Sequence, residues 1–257
     1  MAKHHTLSGK NVLIVGASSG LAAEAAIQLA HGGNAIGLVA RRAEALNAVA
    51  EGVVRAGGSV KTWTADATVP EQMAKVIAEA AAEFGRLDVV WANAGQGPDM
   101  PIESVTPADT ADMIRLNYDV LVSVLIPAIA HFREQGGGHF VHTNSLASLL
   151  GVPRQGPYGA AKVAGRLLID AARTELSPEG LRFTSLFPGF VATERIANDG
   201  LPKPFQITVE QAARRSIQAI ALQKRNAYFP ASITTLIRVL HVLPAPFREA
   251  TLRQMVR

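Results

Sequence analysis

The sequence contains no cysteine among its 257 residues. This absence excludes a disulfide scaffold, a zinc or iron–sulfur site held by cysteines, and a cysteine nucleophile, and it fits a reducing compartment. Charged residues are few, at 18%, and hydrophobic residues make up 48%, which excludes a disordered chain. A chain of this length buries a large core and is often a single α/β domain.

Segments that would direct the chain to a membrane or out of the cell are also missing. Residues 1–10 are polar and lack the apolar run of a signal peptide. No stretch reaches the roughly 18 apolar residues of a membrane span. We therefore expect a cytoplasmic protein.

The excess of positive charge is confined to the end of the chain. The formal net charge is +4, but residues 203–257 hold nine basic and two acidic residues, or +7, against −3 for residues 1–202. A protein that binds nucleic acid through a basic surface would not have a mildly acidic main body. We expect no nucleic-acid partner.

Short apolar runs alternate with helix-like segments along most of the chain. This alternation predicts parallel strands joined by right-handed crossovers, with helices on both faces of the sheet. The sequence therefore predicts an α/β chain with a single-domain, doubly wound Rossmann fold over residues 1–257. The predicted strands are 11–15, 35–40, 59–64, 87–91, 139–144, 182–187 and 227–229, and the predicted helices are 21–31, 43–56, 70–84, 107–135, 156–176 and 208–223.

A glycine-rich turn joins the first predicted strand to the first predicted helix. It reads GASSGLA from Gly16 to Ala22 and includes Ser18, Ser19, Gly20 and Leu21. Such a turn lets backbone N–H groups approach a pyrophosphate at the positive end of a helix. The alternative is a tight turn that needs no ligand, but its place after the first strand favours a dinucleotide.

The end of the second predicted strand indicates which dinucleotide binds. An acidic residue there would hydrogen-bond the ribose of NAD, but this strand ends at Ala40 and is followed by Arg41 and Arg42. Two guanidiniums suit a 2′-phosphate, and Ser18 adds a hydroxyl donor. We therefore expect NADP (NADPH) rather than NAD, with a solvated arginine pair as the alternative.

Tyr158 and Lys162 are four residues apart on a predicted helix and so share one face. A nearby ammonium favours the phenolate and lowers the pKa of a tyrosine, which lets the pair transfer a proton to a carbonyl or from an alcohol. Ser145 follows the fifth predicted strand, where its hydroxyl can hold the reacting oxygen. A tyrosine and a lysine at this spacing are common on surfaces, so the position of Ser145 makes the pattern specific.

Together these motifs resemble those of the short-chain dehydrogenase/reductase family, in order and spacing, over nearly the whole chain. The resemblance implies that Tyr158 is the acid/base, that Lys162 also holds the nicotinamide ribose, that Ser145 positions the substrate oxygen and that Asn117 holds a water of the proton relay. It also implies cofactor contacts from Asp66, Ala67, Asn93, Ala94, Gly95, Pro188, Gly189, Val191 and Thr193.

Several of these residues have structural alternatives. Asp66 and Asn93 are suited to turns, and Asn117 to a helix surface. His139 and His142 are expected to be packed rather than to bind a ligand, and we expect no metal site. One position departs from the family, because Ala22 stands where a third loop glycine serves close helix–strand packing. We expect cofactor binding to survive this change.

The expected function is NADP(H)-dependent oxidoreduction between a carbonyl and an alcohol of a small molecule. The alternative is a cofactor-binding regulator or interaction protein that has lost catalysis. The resemblance places the substrate beside segments 96–100, 146–156 and 190–206, with 190–206 as the substrate loop. Among their charged residues, Arg154, Arg195 and Lys203 are candidates to meet an anionic substrate group, with solvated loop charges as the alternative.

The C-terminal segment 232–257 combines apolar residues at helical spacing with arginines. We expect it to pack on its own domain or on a sister subunit of a homodimer or homotetramer. Peripheral contact with an anionic membrane, or binding of an acidic partner or a phosphate-bearing substrate, are the alternatives.

Overall fold

The protein folds around one seven-stranded parallel sheet with the strand order β3-β2-β1-β4-β5-β6-β7. The structure, a computed structural model, describes residues 6–193 and 205–254. The sheet confirms the predicted fold class, and the strand ends lie within two residues of the predicted ends. The strands are β1 Asn11–Val15, β2 Ala35–Ala40, β3 Ser59–Thr64, β4 Val89–Ala92, β5 Gly138–Thr143, β6 Leu181–Pro188 and β7 Asn226–Phe229.

Helices connect the strands and follow the last of them. Within the described residues they are α1 Gly20–Ala30, α2 Ala43–Arg55, α3 Pro70–Phe84, α4 Pro107–Ile114, α5 Val120–Glu134, α6 Gly156–Leu176, α7 Val209–Ala221, α8 Ala231–Val242 and α9 Ala245–Gln254. Short 3₁₀ turns lie at Ile102–Ser104, Leu146–Ser148 and Ser177–Glu179.

The prediction of one unbroken helix over 107–135 is wrong. A π turn at Arg115–Asp119 separates α4 from α5, and the N–H of Val120 bonds the carbonyl of Arg115, five residues back. Within this turn the side-chain Nδ2 of Asn117 donates to the carbonyl of Met113, at 3.1 Å. In a regular α-helix that carbonyl accepts the backbone N–H of residue 117, so the side chain of Asn117 bonds the acceptor that its own backbone would use.

The two faces of the sheet are both buried, which explains the nearly continuous apolar runs of the strands. In β1, Val12 and Ile14 pack on the face covered by α1, α2 and α7, whereas Leu13 and Val15 pack on the face covered by α3 and α5. All four side chains are at most 1% exposed.

The stretch Pro107–Glu134 is long and apolar enough to cross a membrane, which the sequence analysis did not anticipate. Its apolar residues have another partner in this fold. The α5 residues Leu121, Val124, Leu125, Ala128 and Phe132 are buried in the core cluster that covers one face of the sheet. Packing on the sheet therefore accounts for the hydrophobicity of this stretch.

The C-terminal segment packs one face of α8 on its own chain. Ile233 and Ile237 are buried in a small cluster with Leu146 and Phe187, beside the end of β6. The residues Val239, Val242 and Phe247 of α8 and α9 are 49%, 82% and 67% exposed. The segment therefore leaves an apolar outer surface, and its last three residues lie outside the described part of the chain.

Candidate active site

The predicted site residues gather at the carboxyl edge of the sheet, because parallel strands all end on the same side. Gly16 follows β1, Arg41 follows β2, Asn93 follows β4, Ser145 follows β5 and Gly189 follows β6. The central strands β1, β4 and β5 are neighbours, so the glycine turn and the segments after β4 and β5 lie side by side.

The glycine turn touches the segment that follows β4. Gly16 has a φ of +86°, and a Cβ there would lie 2.6 Å from the Cα and the nitrogen of Ala94. Its carbonyl accepts a hydrogen bond from Nδ2 of Asn93, at 3.2 Å. Only glycine allows both the conformation and the close approach.

A chain of side-chain hydrogen bonds fixes Asn93 between two strands. The indole nitrogen of Trp91 donates to the hydroxyl of Thr143 at 2.8 Å, and that hydroxyl donates to Oδ1 of Asn93 at 2.9 Å. Asn93 is therefore more than a turn residue, since it links the end of β5 to the glycine turn.

The first turn of α1 fits an anionic group such as a pyrophosphate. Ser19 precedes the helix, and its side chain makes no capping hydrogen bond, so the first backbone N–H groups are not satisfied by that side chain. Gly20 lies beside Thr193, whose Cγ2 would be 3.2 Å from a Cβ at Gly20. Leu21 and Ala22 point inward and are 8% and 0% exposed, so Ala22 is accommodated in the core.

The two arginines after β2 differ in their contacts. Nη2 of Arg42 donates to the hydroxyl of Ser18 in the glycine turn, at 3.2 Å. Nη1 of Arg41 lies 3.7 Å from Oδ2 of Asp66, and 63% of the Arg41 side chain is exposed. Arg42 and Ser18 therefore converge on one point, whereas Arg41 leans toward the segment after β3.

The side chain of Asp66 stabilises a turn with Thr68 and also lies near Arg41. Its Oδ1 accepts from the backbone N–H of Thr68 at 2.9 Å and from the Thr68 hydroxyl at 2.8 Å. Partial burial acts to raise the pKa of Asp66, but the bonds from Thr68 and the charge of Arg41 together hold it below its usual value. The neighbouring Ala67 is 9% exposed and packs in the core.

Asn117 is buried at the centre of the site, with 1% of its surface exposed. Its Oδ1 accepts from the backbone N–H of Gln96 at 3.1 Å, and its Nδ2 donates to the carbonyl of Gln96 at 2.8 Å. A Cβ at Gly95 would lie 2.7 Å from Oδ1 of Asn117 and 3.1 Å from Nζ of Lys162. The segment after β4, the π turn and α6 therefore meet at Gly95.

Lys162 is the most unusual charged residue of the site, because it is only 3% exposed. Its Nζ donates to the carbonyl of Thr143 at 3.0 Å and lies 5.7 Å from the centre of the Tyr158 ring. Burial lowers the pKa of Lys162 from 10.5 to about 8. The ammonium is thus held beside the tyrosine despite the cost of removing it from water.

Ser145 is placed next to this pair by its neighbours on both sides. Thr143, two residues before it, accepts from Lys162, and the carbonyl of Ala147, two residues after it, would lie 3.2 Å from a Cβ at Gly159. Gly159 directly follows Tyr158 in α6. The hydroxyl of Ser145 accepts from the N–H of Ala147 at 3.1 Å.

The predicted residues after β6 lie along the same edge. Gly189, directly after Pro188, donates its N–H to the carbonyl of Phe229 in β7 at 2.8 Å. Val191 is 6% exposed and forms a parallel bridge with Ile207. The N–H of Thr193 bonds the carbonyl of Val191 at 2.7 Å. Residues 194–204 of the predicted substrate loop lie outside the described part of the chain.

The two histidines of β5 are packed inside the fold. His139 is 6% exposed, and its Nε2 is 2.8 Å from the hydroxyl of Thr184. Burial, with the charge of Arg182, lowers the pKa of His139 to about 4. His142 is 2% exposed, and burial together with the charge of Lys162 lowers its pKa well below the usual value.

Sequence reasoning missed several residues that build the site. They include Thr143, described above, and Asn144. Oδ1 of Asn144 accepts from the N–H of Ser145 at 2.7 Å, and its Nδ2 donates to the carbonyl of Lys162 at 3.0 Å. Their position just before Ser145 at the end of a strand was the available signal.

Arg154, a candidate for a substrate anion, is instead paired with Asp99. Arg195 and Lys203 lie outside the described residues.

A family model described as short chain dehydrogenase matches residues 10–201. The chain belongs to the short-chain dehydrogenase family. The resemblance that the motifs carry is thereby confirmed.

Individual relatives agree with this membership. An uncharacterized oxidoreductase of Myxococcus xanthus is 29% identical over 249 residues, which cover 97% of this chain and 98% of that protein. A cis-4-hydroxycyclohexanecarboxylate dehydrogenase of Sinomonas cyclohexanicum is 30% identical over 210 residues, covering 81% of this chain and 82% of that protein. The crystal structure of a levodione reductase shares the fold, with a TM-score of 0.82 and 24% identity, covering 89% of this chain and 99% of that one.

Membership of the short-chain dehydrogenase family establishes the reaction class. The protein is an oxidoreductase that acts on CH–OH or C=O groups of small molecules with NAD(P) as the cofactor. The glycine turn, the first turn of α1 and the buried Lys162 fit such a dinucleotide.

Proposed function

We propose that the protein is an NADP(H)-dependent oxidoreductase that interconverts a carbonyl and an alcohol, with Tyr158 as the acid/base. The observation that supports this most is the buried ammonium of Lys162, 5.7 Å from the centre of the Tyr158 ring. Burying a charged group usually costs several kcal/mol. An ammonium that is buried beside a tyrosine despite this cost favours a chemical role for the pair.

In this proposal a nicotinamide cofactor, whose ribose Lys162 would hold, would supply the hydride for the carbonyl carbon. During reduction the hydroxyl of Tyr158 donates its proton to the carbonyl oxygen, and the ammonium of Lys162 stabilises the phenolate that remains. Ser145 donates a hydrogen bond that holds the same oxygen. Oxidation of the alcohol uses these groups in the opposite sense.

Other residues would hold the cofactor and renew the proton. Asn117, fixed by Gln96 and Met113, supports a water that reconnects Tyr158 and Lys162 with solvent. The expected cofactor contacts line the carboxyl edge of the sheet: Gly16, Ser18, Ser19, Gly20, Leu21, Arg41, Arg42, Asp66, Ala67, Asn93, Ala94, Gly95, Pro188, Gly189, Val191 and Thr193.

We propose a preference for NADP over NAD. The support is the contact between Arg42 and Ser18, which brings a guanidinium and a hydroxyl together at the end of β2, where the ribose of the dinucleotide would bind. Both donors suit a 2′-phosphate, and no acidic side chain follows β2 directly. Arg41 would contribute less, because Asp66 partly compensates its charge.

We propose that the enzyme is a cytoplasmic homodimer or homotetramer and that the C-terminal segment helps to form it. Val239, Val242 and Phe247 are exposed and lie close together in the sequence across the junction of α8 and α9, and exposed large apolar side chains are typical of interfaces. Contact with an anionic membrane is the alternative, since Arg248 and Arg253 lie close by in the sequence.

Replacing Tyr158 with phenylalanine tests the proposed chemistry. Screening NADPH consumption over ketones, aldehydes and acyl-carrier ketones should identify a substrate, and Tyr158→Phe should abolish its turnover while leaving NADPH binding within about twofold. Tyr228→Phe is the control and should stay active, because it also removes a tyrosine hydroxyl but keeps the ring that stacks on Phe187, with ring centres 4.5 Å apart. Turnover by Tyr158→Phe at the wild-type rate contradicts the assignment, and inactivity of the wild type with tight NADPH binding favours the regulator instead.

The cofactor preference is tested by Arg42→Ala. Loss of a charge-assisted bond should raise the Kd for NADPH about tenfold or more and leave the Kd for NADH nearly unchanged, as measured by fluorescence titration. Arg55→Ala, an exposed arginine at the other end of α2, should change neither constant. Equal weakening of both cofactors by Arg42→Ala would refute the proposed preference.

The proposed assembly is tested by sedimentation equilibrium. The wild type should have the mass of two or four chains, and Val242→Asp/Phe247→Asp should reduce it, because a charge is costly in an apolar interface. Val54→Asp is the matched control, since Val54 is 60% exposed on α2. An unchanged mass in the double variant counts against this interface.

A further inference from the structure

The segment between β4 and the turn at Ile102–Ser104 lies against the ring of Tyr158. A Cβ at Gly97 would be 2.9 Å from Cδ2 of Tyr158 and 3.0 Å from both Cγ and Cε2. Real Cβ atoms are almost never found this close to a carbon, so the backbone at Gly97 packs directly against the ring. The absence of a side chain at residue 97 is what allows this contact.

The near end of this segment is fixed to the site itself. Gln96, directly before Gly97, exchanges two hydrogen bonds with the side chain of Asn117, at 3.1 and 2.8 Å. Asn117 is buried in the π turn. Gly97 therefore has little freedom to retreat from Tyr158 at this end.

The far end of the segment is fixed to the chain that leads into α6. Asp99 accepts from Nε of Arg154 at 2.7 Å and also accepts from its Nη2, so the pair is bidentate. The N–H of Met100 bonds the carbonyl of Arg154 at 2.8 Å, and Nε2 of Gln155 bonds the carbonyl of Pro98 at 3.2 Å. These bonds span more than 50 residues of sequence, and they end directly before the helix that carries Tyr158.

The ion pair is more than a loose surface contact. The side chains of Arg154 and Asp99 are only 36% and 21% exposed, and the hydrogen bond that Arg154 donates to Asp99 raises the pKa of Arg154. A bidentate arginine–carboxylate pair also fixes orientation as well as distance. We name Gly97 with the Asp99–Arg154 pair the tyrosine brace.

We propose that the tyrosine brace positions the ring of Tyr158, with Gly97 as the residue that sets the ring's orientation. Tyr158 lies in the first turn of α6, where two side-chain torsions decide the position of its hydroxyl. The brace occupies one side of the ring, against Cγ, Cδ2 and Cε2. Its effect on turnover rests on the proposed function, whereas its effect on the ring does not.

The variant Gly97→Ala tests the brace in the full-length enzyme. The added methyl group must displace the ring, and misplacement of a reacting group by about 1 Å can cost on the order of 100-fold in rate. We expect kcat to fall about 10- to 100-fold, with the Kd for NADPH within about twofold of the wild type. Gly151→Ala is the matched control for the position of the ring only, because nothing lies within 4 Å of its added Cβ. The kcat of Gly97→Ala is compared with that of the wild type, since Gly151 belongs to an expected substrate segment.

A second readout follows the ring without any turnover. The chain has three tyrosines, so ring-labelled tyrosine gives a simple NMR spectrum in which Tyr158→Phe identifies the Tyr158 signal. We expect this signal to move in Gly97→Ala and to stay in place in Gly151→Ala. Arg154→Lys, which keeps the charge but loses the bidentate geometry, should move the signal in the same way and serves if Gly97→Ala does not fold.

The outcomes separate the brace from the proposed function. If the wild-type enzyme reduces no carbonyl but the Tyr158 signal still moves in Gly97→Ala, the result supports the brace and contradicts the proposed function. A Tyr158 signal and a kcat of Gly97→Ala that both match those of the wild type overturn the brace. A fall in kcat accompanied by an equal loss of NADPH affinity also overturns it, because the cofactor site would then be the part disturbed.

Discussion

The burial of the Lys162 ammonium is the constraint on which the rest of the site depends. Only 3% of this residue is exposed, and its Nζ donates a hydrogen bond to the carbonyl of Thr143 at 3.0 Å. Burial lowers the pKa of Lys162 to about 8, so the folded protein tolerates a charge that water would solvate better. We attribute this cost to the proposed role of the ammonium, which is to stabilise the phenolate of Tyr158. A loss of stability at a single buried group is typical of functional sites.

At the carboxyl edge of the sheet, backbone segments lie close to the Lys162 ammonium. Thr143 joins two parts of the site, since its carbonyl accepts from Lys162 while its hydroxyl donates to Asn93. Gly16 and Gly95 let neighbouring segments approach to distances that a Cβ would forbid. Parallel strands bring these pieces together at one edge, and the expected cofactor site therefore borders the expected catalytic residues.

Much of this arrangement was predictable from local patterns, because strands, helices and the glycine turn are decided by residues close in sequence. The parts that were not predictable depend on contacts between distant segments. In the π turn the side chain of Asn117 bonds the carbonyl of Met113, and no helical periodicity reports that contact. The pairing of Asp99 with Arg154, and the approach of Gly97 to Tyr158, join residues more than 50 positions apart.

The measurement that tests the buried charge most directly is the free energy of unfolding in urea, compared between the wild type and Lys162→Met from pH 6 to pH 10.5. Between about pH 8 and 10.5 the unfolded lysine binds a proton that the folded one has lost, so wild-type stability should rise with pH relative to the variant. The account predicts a constant difference below about pH 8 and a relative gain for the wild type of about 3 kcal/mol by pH 10.5. A difference that stays constant over the whole range would contradict it, because Lys162 would then keep its ordinary pKa and carry no buried charge of this kind.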